Sequence, residues 1–314
     1  MNILITGGCG YIGTVLVQDL LNLGHKITVI DSQWFGNFLK KKKNLKIFKL
    51  DIRNYNRIPL KNKDVVIHLA NIANDPSVEL NHNLSWEVNV LATQKLIENA
   101  VKNKVKQFIF ASSGSVYGLK KEKKVTENLS LVPLSTYNKT KMIAERVLMS
   151  YQNKIKIHII RPATVCGYSP RMRLDVSVNM LTYQALKHKS MTVLGGQQVR
   201  PNIHINDLVN VYKHFLKNPN LPSGFYNAGF ENLKIIDIAK KVAKLIPSKI
   251  LVKKNNLDQR SYRQNSDKLL LTGFKNLYSV KDAIKEIKKR YENKNFKVLQ
   301  SCFTVKWMKK LNIN

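Results

Sequence analysis

The sequence predicts an α/β protein, a doubly wound parallel sheet with a smaller, split C-terminal lobe. Three observations carry that expectation. Short apolar runs alternate with stretches of helical periodicity through the first half of the chain. The opening unit runs strand, glycine turn, helix, strand, and ends on an acid. From Cys166 onward the alternation breaks up into loops, a helix and short strands around Gly195 and Gly196.

Taken in order, Asn2 to Thr6 reads as a short buried strand. Gly7-Gly8-Cys9-Gly10-Tyr11-Ile12-Gly13 follows, then a helical run from Thr14 to Leu23 that Gly24 closes. Ile27 to Ile30 is the next strand and delivers Asp31. This is the βαβ unit of a Rossmann-type dinucleotide site. Gly7, Gly10 and Gly13 let the backbone turn tightly and approach a pyrophosphate, the helix N-terminus holds the anion, and Asp31 receives the adenosine ribose hydroxyls. The spacing is one residue wider than the commonest glycine fingerprint. A carboxylate at Asp31 repels a 2′-phosphate, which favours NAD over NADP. Leu45 to Leu50 is a third strand, with Asp51 and Ile52 at its end placed to meet the adenine. A fourth strand, Asp64 to Asn71, brings Leu69, Ala70 and Asn71 to its carboxyl end, where open α/β sheets bind ligands. His68 on that strand has apolar neighbours and is assigned to structure, not chemistry. Trp86 to Asn103 is one long helix with Asn89 able to hydrogen-bond near the cofactor. A fifth strand, Phe108 to Ala111, leads to Ser112-Ser113-Gly114-Ser115-Val116-Tyr117-Gly118.

Tyr137 and Lys141 stand at i and i+4 on a helix that Ser135 or Thr136 can cap, so their side chains share a face. A tyrosine titrates near pH ~10, and a neighbouring ammonium that lowers its pKa by ~3 units needs only ~4 kcal/mol of differential interaction. Alone, the pair is equally two surface residues in a lysine-rich chain. A cofactor beside it gives it meaning.

Composition bounds the rest. A chain of 314 residues with 44% apolar content can bury one large α/β domain with an appended lobe. Cys9, Cys166 and Cys302 show no metal or redox spacing, as expected of a reducing cytosol, and no other metal constellation is present. No signal-peptide pattern opens the sequence and no segment approaches the ~20 apolar residues of a membrane span, so a soluble cytoplasmic protein is expected. The net charge of +33, from 53 Lys+Arg against 20 Asp+Glu, invites a nucleic-acid or anionic-membrane partner. The lysines, however, spread along the whole chain, dense only at Lys40–Lys43 and between Lys281 and Lys310, with no RNA-binding signature. A solvated, lysine-biased surface that attracts an anionic substrate is the expected reading.

Thr6-Gly7-Gly8-x-Gly10-Tyr11-Ile12-Gly13, Asp31, Asp51-Ile52, His68-Leu69-Ala70, Ser112-Ser113-x-x-Val116-Tyr117-Gly118, Tyr137-x-x-x-Lys141 and Arg161-Pro162-Ala163 occur in this order. Together they resemble the extended short-chain dehydrogenase/reductase family, in its NAD-dependent epimerase/dehydratase branch acting on nucleotide sugars. The resemblance covers roughly residues 1 to 290. It implies that Tyr137 exchanges a proton with a sugar hydroxyl, that Lys141 binds the nicotinamide ribose and lowers the Tyr137 pKa, and that Ser113 orients the reacting oxygen, with Ser115 a weaker candidate. The branch's 4,6-dehydratases carry Asp and Glu where this chain has Gly114 and Ser115, which speaks against dehydration. The serine pattern is closer to the hexose 4-epimerases, which work through a transient 4-keto sugar. A 4-ketoreductase or sugar dehydrogenase uses the same residues.

The resemblance also places a substrate lobe after the sixth strand, with a helix from Asp175 to Lys187 and strands at Met191–Leu194 and Val199–Ile205. Asn179 and Arg200 fall where the family binds the nucleotide diphosphate, and an arginine fork suits phosphate oxygens. Asp258 and Tyr262 match an acid and a sugar-pocket residue, while Asn255 stands at the arginine position and Arg260 is its candidate substitute. Asp207 is expected to cap a helix, and the basic tail from Asn293 matches nothing assigned. The expected organisation is an NAD-binding domain of 1–165 with 205–230, a lobe of 166–204 with 231–314, and a homodimer paired through the helices near 86–103 and 137–152. An NAD-dependent nucleotide-sugar epimerase or oxidoreductase is the reading that keeps Ser113, Tyr137 and Lys141 in use. A non-catalytic NAD-binding relative that binds RNA is the alternative of another class.

Overall fold

The computed structural model describes residues 1–254 and 261–313. The first part of the chain gives β1 (Asn2–Thr6), α1 (Tyr11–Asn22), β2 (Lys26–Asp31), β3 (Leu45–Lys49), β4 (Val65–His68), α2 (Asp75–Val78), α3 (His82–Trp86), α4 (Ala92–Lys102), β5 (Gln107–Ala111), α5 (Thr136–Met149) and β6 (Lys156–Pro162). Then come β7 (Thr164–Cys166), α6 (Ser177–His188), β8 (Ser190–Leu194), β9 (Val199–His204), α7 (Ile205–Lys217), β10 (Gly224–Ala228), β11 (Glu231–Lys234), α8 (Ile235–Leu245), β12 (Lys249–Lys253), α9 (Asp267–Leu271), α10 (Val280–Glu292) and α11 (Thr304–Lys310).

Seven strands form one sheet in the order β10-β6-β5-β4-β1-β2-β3, and every neighbouring pair is parallel. This is the doubly wound sheet of a Rossmann fold. Successive side chains point to opposite faces, so strands buried on both sides must be apolar throughout, as Ile3-Leu4-Ile5 and Phe108-Ile109-Phe110 are. Ile3 and Ile5 join Leu16, Val17 and Leu20 of α1 and Leu208, Tyr212 and Phe215 of α7 on one face. Leu4, Phe108 and Phe110 join Leu96 and Ile97 of α4 and Ala144 and Leu148 of α5 on the other. The chain reverses direction across the sheet between β1 and β4, which opens a crevice at their carboxyl ends.

A third apolar cluster packs α6, α8 and α10 into the lobe. Beside it stand a three-stranded sheet, β11-β9-β7, and a parallel pair, β12-β8. No helix among the described residues is long and apolar enough to cross a membrane.

Two local expectations are corrected. The helix expected over Trp86–Asn103 begins earlier, where Asn81 caps α3 by accepting from the Leu84 amide, and a π-helical turn at Glu87–Leu91 interrupts it before α4. Such turns are often found at functional sites, and here Val88, Asn89 and Val90 are all buried within it. Asp207 does not cap α7. His204 accepts from the Asn206 amide, and Asp207 instead receives the amides of Leu277 and Tyr278 at 2.9 and 3.0 Å, tying the C-terminal part of the lobe to the sheet domain.

Candidate active site

The crevice begins at the glycine turn. Gly7 has φ +72°, and a Cβ there would fall 2.6 Å from the Ala70 nitrogen. Gly13 packs so closely beneath the turn that a Cβ would lie 2.3 Å from the Gly7 oxygen. Gly10 precedes α1, and no side chain caps that helix start, which leaves its first amide donors for a ligand. The cleft is lined by this turn, by Asp31, Trp34 and Phe35 after β2, by Asp51 and Ile52 after β3, and by Leu69, Ala70 and Asn71 after β4.

Asp31 is held in place by the Cys9 amide at 2.9 Å and the Gln33 amide at 2.7 Å. Burial pushes its carboxyl up from the usual range, against those two donors and the charge of Arg171. Asp51 is gripped by Arg53, which also reaches Glu87. Asn71 donates to the Leu69 carbonyl, and its Oδ1 is buried without a hydrogen-bond partner. Arg171 lies 4.1 Å over the Phe35 ring with its Nε and Nη1 buried and unpaired, and burial followed by the neighbouring Arg173 pulls its pKa down to about 10. An open glycine turn, an uncapped helix, a fixed carboxylate and unpaired polar atoms in one cleft fit a dinucleotide. The turn and α1 would hold the pyrophosphate, and Asp31 the adenosine ribose.

Ser113, Tyr137 and Lys141 stand one strand further along the sheet, where β5 ends. Lys141 is buried and donates to the Ala111 carbonyl at 2.7 Å, with its Nζ 4.7 Å from the centre of the Phe110 ring. Burial pulls its pKa down to about 7, with Glu145 pulling the other way. Tyr137 is half-buried in the first turn of α5, one turn before Lys141. Ser135 caps that helix by accepting from the Asn138 amide, and its own hydroxyl donates to Asp75. The inward face of α5 carries Asn138, Lys141, Ala144, Glu145 and Leu148, polar where the chemistry is expected. Ser113 and Ser115 share a hydrogen bond of 2.8 Å, and Ser115 donates to Asn138 Oδ1 at 2.6 Å. Tyr262 packs on Val116, Tyr117 and Val125, against the same turn.

Sequence reasoning missed the network that holds this corner together. Arg161 grips Glu145 through Nε at 2.9 Å and Nη2 at 2.7 Å, Ser112 donates to the same carboxylate, and Arg161 Nη1 donates to the Tyr117 hydroxyl. The pair is 2% and 0% exposed, so removing one partner would strand a buried charge at a cost of about 3–5 kcal/mol. Glu145 and Arg161 meet only through the packing of α5 on β6, and no local spacing announces it. Arg173 was also missed. It donates to Asp175, and its charge reaches both Tyr11 and Tyr137.

Other expected residues sit elsewhere. Asn179 is fully buried, and its amide is spent on the Gly167 amide, the Tyr11 hydroxyl and the Arg173 carbonyl, so it positions the glycine turn against the lobe and has no face toward a ligand. Asn89 is likewise spent on the Ile72 backbone and Thr140, bracing the end of β4 on α5. The Ser112 hydroxyl faces Glu145. Arg200 lies half-buried on β9, next to Val199, whose amide donates to Ser261. Asp258 and Arg260 lie outside the described residues. His68 is structural as expected: it is bonded to Thr6 and Thr93, and burial pushes its pKa down to about 3.

Residues 3–229 match the NAD dependent epimerase/dehydratase family. The chain belongs to that family. It is 34% identical over 263 residues to an uncharacterised UDP-glucose epimerase, YtcB, of Bacillus subtilis, a match spanning 77% of this chain and 82% of the relative. A dTDP-D-glucose 4,6-dehydratase of Dictyostelium discoideum is 29% identical, over 76% of this chain and 61% of its own. Among solved structures, UDP-glucuronic acid 4-epimerase from Bacillus cereus, in complex with UDP-glucuronic acid and NAD, superposes with a TM-score of 0.83 at 27% identity, covering 94% of this chain and all (100%) of the other. The epimerase/dehydratase fold therefore accounts for both halves of this chain, and the protein is an NAD-dependent enzyme. Epimerases and a dehydratase both stand among the family members it resembles, so membership alone does not choose the reaction.

Proposed function

We propose that the enzyme is a nucleotide-sugar epimerase that inverts C4 of a UDP-hexose through a transient 4-keto sugar. The carrying observation is the serine turn after β5. Gly114 and Ser115 stand where dehydratases of the branch place an acid pair, and Ser113, Ser115 and Asn138 form a chain of neutral groups. Glu145, the carboxylate bonded to Ser112, has both oxygens engaged by Arg161 and faces away from the serine chain. Water loss needs an acid and a base at the sugar; epimerisation needs one proton acceptor that returns what it takes.

NAD, when bound, supplies the chemistry of taking a hydride from the sugar carbon and giving it back. Tyr137 takes the hydroxyl proton and returns it. Its phenolate is stabilised by the positive end of α5, by the Lys141 ammonium one turn on, and by the charge of Arg173. The Ala111 carbonyl fixes Lys141, so the cation cannot drift to solvent. Ser113 hydrogen-bonds the reacting oxygen, and its link to Ser115 sets the direction of its hydroxyl. Tyr262 shapes the sugar pocket on the far side of the turn.

The test is incubation with UDP-, GDP-, dTDP- and CDP-hexoses, following product by NMR and NADH by absorbance. The expected result is a C4 epimer of a UDP-hexose with no net NADH. Accumulation of NADH with an oxidised sugar would make the enzyme a dehydrogenase, and a dehydrated product would overturn the argument from the serine turn.

A further inference from the structure

The basic segment after α10 folds back across the dinucleotide cleft. Phe296 packs on Tyr168 and Tyr291 in the lobe, and the Leu174 amide donates to the Cys302 carbonyl at 2.9 Å. The chain then enters α11 and reaches the opposite wall, where the Trp307 indole donates to the Trp34 carbonyl at 2.6 Å. Met308 is 3% exposed and joins Ile52, Ile72, Val78 and Val88 in one apolar cluster. Thr304 and Met308 both line the cleft with Asp31, Phe35 and Ile52.

Thr304 is buried. Burial pushes the nearby Asp175 carboxyl up, and Arg173, then Thr304 and Arg171, together pull it below the usual range, yet neither Thr304 Oγ1 nor Asp175 Oδ2 completes a hydrogen bond. Arg171 Nε and Nη1, in the same cleft, are unpaired as well. Buried polar atoms left without partners are costly, and those of Thr304 and Arg171, which line one cleft, mark the place of a ligand that pairs them.

We propose that α11 is a wall of the NAD site, in which Thr304 and Met308 contact the adenosine half of the cofactor and Trp307 latches the wall to the loop after β2. The family match ends at residue 229, so this wall lies outside the segment that defines the family. Opening this wall would break the Trp307 bond and uncover Met308. Such retention suits a reaction that returns the cofactor to its starting state, but the inference rests on NAD binding alone and not on which sugar is turned over.

The 314-residue protein and the variants Trp307→Ala, Trp307→Phe and Thr304→Val are loaded with radiolabelled NAD, diluted into excess unlabelled NAD, and filtered over time. Release is expected to be about tenfold faster for Trp307→Ala and about fivefold faster for Thr304→Val, with Trp307→Phe between the wild type and Trp307→Ala. The rise in unfolding temperature on adding NAD shrinks in parallel. A purely structural α11 would lower the unfolding temperature of the NAD-free protein and leave release at the wild-type rate, which would overturn the proposal. Should Trp307→Ala fail to fold, the near-isosteric Thr304→Val decides: faster release supports the wall, unchanged release refutes it. Epimerase activity plays no part in the readout, so failure of the sugar reading and failure of this one are separate results.

Discussion

Lys141 sits where burial favours the neutral amine, beside the Phe110 ring and with one carbonyl as acceptor. Its folded pKa of about 7 lies below the ordinary value of 10.5. Between those pH values the unfolded chain keeps a proton that the folded chain has lost, so stability rises with pH through that window, and the full cost of the buried charge is felt below it. The unfolding free energy of the wild type relative to Lys141→Met is therefore expected to climb by roughly 3 kcal/mol from pH 7 to pH 10, read by urea unfolding at each pH. A difference that stays flat would contradict the burial argument. At this scale the sequence was legible where chemistry depends on near neighbours. Tyr137 and Lys141 are one helical turn apart, and Gly7, Gly10 and Gly13 share one turn. It was silent on Arg161 with Glu145, on Arg171 over Phe35 and on Arg173 near Tyr137, because those partners meet only once strands and helices have packed. The same packing reverses the role expected of Asn179, whose amide is consumed by Tyr11 and Gly167.

Elements were legible to the extent that their periodicity matched their burial. β1, β4 and β5 are apolar on both faces and read as buried strands, while α5 looks amphipathic although its inward face carries Asn138, Lys141 and Glu145. The π turn before α4 leaves no composition signal, and Asn89 within it bonds the Ile72 backbone. α11 was missed because its apolar residues, Val305, Trp307 and Met308, are too few to form a periodic stripe amid lysines. The glycine turn gives the sharpest prediction for an element. In Gly13→Ala the new methyl meets the Gly7 oxygen at 2.3 Å and the turn must open. NAD affinity is expected to fall about a hundredfold or more, equivalent to ~3 kcal/mol, by equilibrium titration. Wild-type affinity in that variant would mean that the turn does not shape the site.

For the whole molecule, the sheet order and the family match account for the chain's organisation, and the charge of +33 remains as its own physical feature. Spread over the surface, such a charge attracts anions and would raise the local concentration of the nucleotide sugar proposed as substrate, an effect that salt screens as the Debye length falls from ~10 Å at 0.1 M toward ~3 Å at 1 M. The KM for the sugar nucleotide is expected to rise several-fold between 50 and 500 mM NaCl with kcat nearly constant. An unchanged KM would leave the charge without a role in substrate capture. The lobe and the NAD cleft were readable from sequence as a plan, but the closing of that cleft by the C-terminal segment was not, because it joins residues from opposite ends of the chain.

The most direct test of the central claim is the rate of C4 epimer formation by Tyr137→Phe loaded with NAD. That change removes one hydroxyl and leaves the ring in its packing, so NAD should remain bound at wild-type stoichiometry while turnover falls by about 10²- to 10⁴-fold, the share of a general acid–base group. Epimerisation at the wild-type rate, with NAD bound, would show that the proton travels by another route.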